Sequence, residues 1–317
     1  MKIGAYLHMY PPIHNAGAEH MLHGMLSEAV KRGHTCVVCV SQGEGHKRLE
    51  FRPYEHDGVK VSEDARILNH CDILLTHLDR TSEAEKMAAA RGIPLVQIFH
   101  NHERPHMIEK KCDLAVYNTD WLLTFAPCDA PSIVIHPPVW ADTYKVDNTG
   151  AEHITLINLT KPKGVEMFYA LAKMMPKQKF LGVKGSYGQQ ILPTEKLPNV
   201  TILPTQRDIR NVYRQTKILL MPSSYESYGR CAVEAAVSGI PTIAHHTPGL
   251  REALGEYGTF PIPDSPSWKC AVEYVLDTYP ARVRDAKWIA KNLDPAGDVT
   301  RLLDAFQDTI TNYKKRL

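Results

Sequence analysis

Short apolar, β-branched runs recur along this chain with amphipathic stretches between them. In the first half KIGAYLH (2–8), TCVVCVS (35–41), DILLT (72–76), PLVQIF (94–99), DLAVYN (113–118) and SIVIH (132–136) read as strands, and residues 17–32 and 82–91 read as helices. Pro137-Pro138 and the polar stretch through Gly150 read as a linker. A second series then begins with HITLIN (153–158), KFLGVK (179–184), NVTIL (199–203), KILLMP (217–222) and PTIAHH (241–246). Helices are expected after Lys163, Gln206 and Gly229, followed by a mainly helical tail from Ser265. Alternation of this kind implies a parallel sheet covered by helices on both faces. The fold class is therefore α/β, with two Rossmann-like parallel-sheet domains in tandem. Such a pair is expected to face across a ligand cleft at the carboxyl ends of the strands. The expected boundaries are residues 1–145, residues 146–295, and a terminal helix over 296–317 that packs back towards the first domain.

The bulk properties narrow the class. At 317 residues, 44% apolar and 23% charged, the chain suits two globular α/β domains rather than disorder. No apolar run is long enough to span a bilayer, and MKIGAYLHMYPP lacks the charged-then-apolar layout of a secretion signal. A cytoplasmic protein without an integral membrane segment is expected. The 7 cysteines are scattered, and Cys36 and Cys39 lie three apart in one strand, on opposite faces, so they cannot share a metal. Buried, reduced thiols are the reading they favour. Net charge is +2 but uneven: residues 1–145 hold 15 Lys+Arg against 18 Asp+Glu, leaving 22 against 17 for the remainder. A basic second half fits an anionic co-substrate, although an excess this mild is usually solvated surface. The first half also carries 13 of the 16 histidines.

The stretch with most chemistry is Ser223-Ser224-Tyr225-Glu226-Ser227-Tyr228-Gly229-Arg230-Cys231-Ala232-Val233-Glu234. It follows a strand and opens a helix near Gly229, which places Glu226 in a loop and Glu234 within the helix. Backbone N–H groups at such a start form an anion site suited to phosphate. Carboxylates beside it can accept hydrogen bonds from sugar hydroxyls. The plainer reading makes Glu226 a helix cap and Glu234 a surface residue, and spacing alone does not separate the two. His100-Asn101-His102, with His106 nearby, invites a metal or nuclease reading, yet no acidic or cysteine partner stands at convincing spacing, and no metal is expected. Arg207, Arg210 and Arg214 would form one basic stripe on a helix whose Ile209, Val212 and Tyr213 face the core. A solvated helix face is favoured, against a contact with phosphate or a polyanion. A dinucleotide dehydrogenase is disfavoured, because the first strand is not followed by G-x-G-x-x-G.

PSSYESYGRCAVEAAVSGIPTIAHHTPGLREALGEYG resembles the E-x7-E region of retaining glycosyltransferases of the GT-B type, family 4. LINLTKPKGVEMF resembles that family's strand–loop–helix ending in Lys-Gly, and HMYPPIHNAGAEHM its Gly-Gly-x-Glu loop; QIFHNH, YNTDWL and VIHPPV fall in the same colinear order. The resemblance implies a metal-independent transferase that moves a sugar from a nucleotide-sugar donor, a UDP- or GDP-sugar, to a hydroxyl acceptor on a glycan, lipid or small molecule. It implies that Glu226 holds the hydroxyls of the transferred sugar, that Glu234 holds the nucleotide ribose, and that Lys163 neutralises the departing diphosphate. A fixed ammonium there stabilises the transition state more than the ground state. His100 would lie near the donor sugar, and Gly17 would let backbone approach phosphates or acceptor. Lys184, Tyr228, Gly229 and Arg230 would complete the donor site, with the base read by backbone around 183–186 and 203–208. The chain has no Asp-x-Asp, the motif tied to metal-bound diphosphate in the other large glycosyltransferase fold. Two departures stand out. Asn158 occupies a place where many members carry arginine, making Arg230 a candidate to supply that charge, and Ala16-Gly17 replaces Gly-Gly. Two further readings remain: a viral-type enzyme that glycosylates hydroxymethylated bases in DNA, with Tyr10 or Trp121 supporting a flipped base, and a non-catalytic nucleotide-sugar binding protein.

Overall fold

The computed structural model describes residues 1–41, 51–101 and 111–316. The chain divides into two compact units, Met1–Pro138 with Asp294–Leu317, and Val139–Leu293.

The first unit is built from β1 (Lys2–Leu7), α1 (Gly17–Lys31), β2 (Thr35–Val40), β3 (Tyr54–His56), β4 (Val59–Ser62), β5 (Ile73–His77), α2 (Thr81–Arg91), β6 (Leu95–Phe99), β7 (Leu114–Tyr117), α3 (Asp120–Phe125) and β8 (Ser132–Val134). The strands form one sheet in the order β3-β4-β2-β1-β5-β6-β7-β8, parallel throughout except for the antiparallel β3–β4 pair at its edge. The central strands are apolar along their whole length because both faces are covered: β5 is buried at every position, and so is β6. The β3–β4 hairpin is an addition to the expected strands. Its positions alternate between buried and exposed in β4, as one-sided cover requires.

The second unit comprises α4 (Ala141–Tyr144), β9 (His153–Ile157), α5 (Val165–Met174), β10 (Lys179–Val183), β11 (Val200–Leu203), α6 (Arg210–Tyr213), β12 (Thr216–Met221), α7 (Arg230–Val237), β13 (Thr242–Ala244), α8 (Pro248–Leu254), α9 (Ser265–Asp277) and α10 (Tyr279–Lys291). Its five parallel strands run β11-β10-β9-β12-β13. Alternate side chains of β12 serve opposite faces: Ile218 and Leu220 join Phe168, Leu171 and Trp268, whereas Leu219 and Met221 join Ala232, Ala236 and Leu250. That two-residue period is what a doubly covered strand requires.

The stretch expected as a linker is folded onto the second unit. It contains α4, and the Val146 amide donates to Ser238 Oγ at 2.9 Å. The chain's last helix, α11 (Pro295–Arg316), belongs to the first unit. Arg32 donates to Thr300 Oγ1 and to the Ala296 carbonyl at 2.7 and 2.9 Å, and Arg316 pairs with Asp113. Among the described residues no helix is long and apolar enough to cross a membrane.

Candidate functional site

Strand order in the second unit reverses direction at β9: β10 and β11 lie to one side of it, β12 and β13 to the other. The connections leaving neighbouring strands part at such a point and leave a crevice beyond the carboxyl ends. Lys163 follows β9 and Glu226 follows β12, so adjacent strands bring together residues 63 positions apart. Lys163 Nζ lies 2.5 Å from Glu226 Oε1, and Ser223 Oγ donates to the same oxygen at 2.8 Å. Both side chains are mostly covered, at 20% and 12% exposure. Burial alone would depress the Lys163 ammonium; the Glu226 carboxylate outweighs it and holds the group above its ordinary range.

Local structure dictates this meeting. Lys161–Lys163 form one tight turn closed by Gly164 in the left-handed region, at φ 78°. A Cβ on Gly164 would also stand 2.4 Å from the Pro222 carbonyl oxygen, so glycine is required twice over. The close approach lets the Ser224 amide donate to the Pro162 carbonyl at 2.9 Å, which ties the Glu226 loop to the Lys163 turn. Glu226 does not cap α7, whose N-cap is Gly229 at φ 93° with no side-chain cap. The Ala232 amide donates to the Gly229 carbonyl at 2.9 Å, and no side chain caps the two amides before it, those of Arg230 and Cys231.

Glu234 is buried rather than superficial, at 7% exposure, and both its oxygens are engaged. Tyr213 donates to Oε2 and Arg230 Nε to Oε1, each at 2.7 Å. The Arg230 guanidinium reaches Tyr144 with its other arm and lies 5.5 Å from that ring, so it is turned onto its neighbours within the unit. Tyr228 is buried against Val139, Val233 and Val237. Asn158 follows β9 in the left-handed region at φ 71°, a conformation asparagine tolerates better than long side chains do. Its Oδ1 accepts from Gln190 Nε2 at 2.8 Å, whereas Nδ2 is buried with no partner among the described residues. Gln190 also accepts from the Leu159 and Gly185 amides, fixing the loop after β10 that begins with Lys184. Sequence reasoning gave no site role to Gln190, Tyr213, Tyr144 or Ser223, although it placed Tyr213 on the core face. Only Ser223 lay inside a motif that could have drawn attention to it.

In the first unit Gly17 opens α1 behind an uncapped Ala16, and a Cβ added there would meet open space. His100, just past β6, is buried, and its Nε2 lies 3.0 Å from His77 Nδ1. Burial pushes the His100 imidazole down to about 3, so it stays neutral. His102 and His106 lie outside the described residues.

Two expectations need correction. The helix at α6 spans only Arg210–Tyr213, too short to align three arginines in a stripe. Arg210 is held by Asp208 at 2.8 Å and Arg214 by Asn211 at 2.9 Å, as solvated surface pairs; Val212 and Tyr213 do face the core. Tyr10 is 1% exposed with its hydroxyl 2.9 Å from His23 Nδ1, so it offers no face to an extruded base.

Residues 146–292 match the family described as Glycosyl transferases group 1. A D-inositol 3-phosphate glycosyltransferase of Corynebacterium glutamicum is 36% identical over 107 residues, covering 32% of this chain and 26% of that protein. Its namesake from Mycobacteroides abscessus is 23% identical over 252 residues, 64% of this chain and 57% of that protein. The chain thus spans about a quarter to somewhat over half the length of these relatives. Sucrose-phosphate synthase from Thermosynechococcus elongatus superposes with a TM-score of 0.79 at 14% identity, over 98% of this chain and 100% of that one. Anabaena HepE in complex with UDP-glucose gives 0.77 at 15%, over 97% and 100%. At such identities these likenesses establish the shared GT-B architecture.

Proposed function

We propose that this chain, a group 1 glycosyltransferase by its residues 146–292, transfers a sugar from a nucleotide-sugar donor to a hydroxyl acceptor with retention of anomeric configuration. One observation carries the reading: Lys163 and Glu226 meet at the strand-order reversal of the second unit, beside the uncapped start of α7. A fixed cation and free amides suit a pyrophosphate, and a carboxylate suits sugar hydroxyls. The solved HepE complex, with UDP-glucose, makes a UDP-sugar the first donor to try.

In the reaction the acceptor oxygen bonds to the anomeric carbon while the bond from that carbon to the diphosphate breaks. The hydroxyl proton leaves with the diphosphate. Lys163 and the α7 amides meet charge that grows as the bond breaks, so they lower the barrier rather than merely binding substrate. Glu226 turns from Lys163 to the sugar hydroxyls when donor enters. Glu234, held by Arg230 and Tyr213, keeps one lone pair on each oxygen for the ribose hydroxyls, and Asn158 Nδ2 supplies a spare donor. His100 and Gly17 are assigned to the sugar and the acceptor. The acceptor is proposed to be a small-molecule, glycan or lipid-linked hydroxyl. The missing arginine stripe and the burial of Tyr10 remove two of the features that would have pointed to DNA.

The test is donor turnover by the purified chain, with and without a chelator, with UDP- and GDP-sugars, scored as released nucleoside diphosphate. Turnover by the native chain that is lost in Lys163→Met and Glu226→Gln supports the assignment. Equal turnover by all three proteins would remove it.

A further inference from the structure

The first unit has a strand-order reversal of its own, at β1, with β2 on one side and β5 on the other. Beyond the carboxyl ends of those strands stand His8, which follows β1, and His77, the last residue of β5. Glu19, in the first turn of α1, reaches into the same place. His8 Nε2 lies 3.2 Å from Glu19 Oε1, His77 Nε2 lies 4.0 Å from that oxygen, and one ligand atom each of His8, His14 and Glu19 falls within 4.8 Å of the others.

The environment is costly for a carboxylate with nothing to hold. The Glu19 side chain is 2% exposed and that of His77 is fully buried. Among the described residues Glu19 Oε2 and His77 Nε2 have no hydrogen-bond partner. An orphaned, buried carboxylate oxygen is costly, the more so if charged, unless a proton or a cation relieves it. The 3.2 Å edge from His8 Nε2 to Glu19 Oε1 fits a first-row metal, whose bonds of about 2.0–2.2 Å to nitrogen and oxygen put tetrahedral ligands a little over 3 Å apart, and His14 lies within reach of the same point.

We propose that His8, His14 and Glu19 bind a divalent transition-metal ion of the zinc class. Two imidazoles and a carboxylate are the donor set that such an ion prefers over magnesium or calcium, which seek oxygen ligands. His77 lies behind the carboxylate, its Nε2 4.0 Å from Glu19 Oε1 and its other nitrogen fixed by His100 at 3.0 Å, and in the proposal it closes onto the carboxylate when the ion is held, steering the ligand from outside the coordination sphere. Three protein ligands leave one position open to water, and His8, at 18% exposure, gives a path from solvent. The ion ties the β1–α1 loop at both ends, from His8 through His14 to Glu19, and so fixes the helix start that carries Gly17. This site is independent of donor chemistry at Lys163 and Glu226, and its readout needs no turnover.

The experiment uses the full chain, stripped with chelator, dialysed and titrated with Co2+ as a spectroscopic probe, then with Zn2+ as competitor. The expected result is a four-coordinate Co2+ visible spectrum that saturates at one equivalent and is abolished by Zn2+. Glu19→Gln and His14→Ala should each weaken Co2+ by at least about tenfold, and His77→Phe by about 10–100-fold, the range for groups that orient a ligand. His23→Ala, in the separate His23, His56 and Asp57 group, should leave the titration unchanged. If Glu19→Gln fails to fold by circular dichroism, His14→Ala, on the partly exposed loop, carries the comparison. No visible spectrum at one equivalent overturns the proposal in favour of a protonated Glu19. So does a thiolate-to-cobalt band, which would place the ion on cysteine, or a spectrum that survives Glu19→Gln and His14→Ala but is lost in His23→Ala.

Discussion

Tyr213→Phe removes one oxygen atom from the second unit and tests whether Glu234 is held for use. Tyr213 is fully buried, and its ring packs among Leu219, Ala232 and Ala235. Phenylalanine keeps that packing, so the effect isolates the hydroxyl. The lost bond is 2.7 Å long, buried, and made to a carboxylate. Burial and the nearby Glu234 charge hold the phenol far above its ordinary range, so it remains a donor at every working pH. A buried hydrogen bond to a charged partner is worth about 1.5–3 kcal/mol. In a unit of this size each kcal/mol moves the melting temperature by about 2–4 °C, so a loss near 2 kcal/mol lowers it by roughly 4–8 °C. Freed on one side, Glu234 loses its fixed orientation towards the ribose, and the donor KM should rise about tenfold, equivalent to ~1.4 kcal/mol, with kcat within about twofold. Differential scanning calorimetry and donor-saturation kinetics give the two readouts. An unchanged melting temperature together with an unchanged KM would refute both the bond and the role drawn from it.

Three other predictions follow from single contacts. Lys163→Met should lower kcat by about 100- to 1000-fold with little change in donor KM, because charge at the leaving group is met mainly in the transition state; a matching rise in KM with kcat intact would show mere binding. Two glycines should part company in denaturant melts and turnover assays. Gly164→Ala, strained at φ 78° and blocked by the Pro222 carbonyl, should lose about 2 kcal/mol or more. Gly17→Ala, facing open space at the start of α1, should keep or gain stability yet lose transfer activity if substrate occupies that space. Finally, burial pushes Cys36 up to about 12 and Cys39 to about 11, whereas Cys270 is exposed. Alkylation of the folded protein near about pH 8 should label Cys270 and spare those two, as read by mass spectrometry. Because their native thiols hold protons that the unfolded chain releases above the ordinary value of 9.0, their contribution to stability is complete below that pH and falls as pH rises past it.

Much of the fold is legible in the chain because its central strands are covered on both faces, which writes them as apolar runs. The β3–β4 hairpin escapes such reading: YEH and VKVS are short, polar on one face and lie at the sheet edge. Helix α4 escapes for another reason. Four residues show no period, and what holds them is Tyr144 and Val146 meeting groups some 90 positions later, Arg230 and Ser238. The arginine stripe fails because the helix is a single turn over Arg210–Tyr213, and the Asp208 carboxylate before it accepts from the Arg210 amide and side chain instead of continuing the helical spacing back to Arg207.

The candidate site shows the same division between what neighbours in sequence and what neighbours in space. Lys163 and Glu226 could be singled out from the residues around each, yet Gln190 and Tyr213 could not, since glutamine and tyrosine carry no signature until the sheet delivers them to Asn158 and Glu234. Topology supplies the missing step. In both units the strand order turns about the first strand, so the segment after that strand and the end of its later-formed neighbour are drawn to one place. In the second unit this joins Lys163 to Glu226; in the first it brings His8 and His77 to Glu19. A surplus of histidines in the first half was visible as a count, but a count has no geometry. Once β1 and β5 are known to be adjacent, His77 stands behind the proposed set of His8, His14 and Glu19, and the question these residues pose is chemical: whether the charge on Glu19 is answered by a proton or by a metal ion.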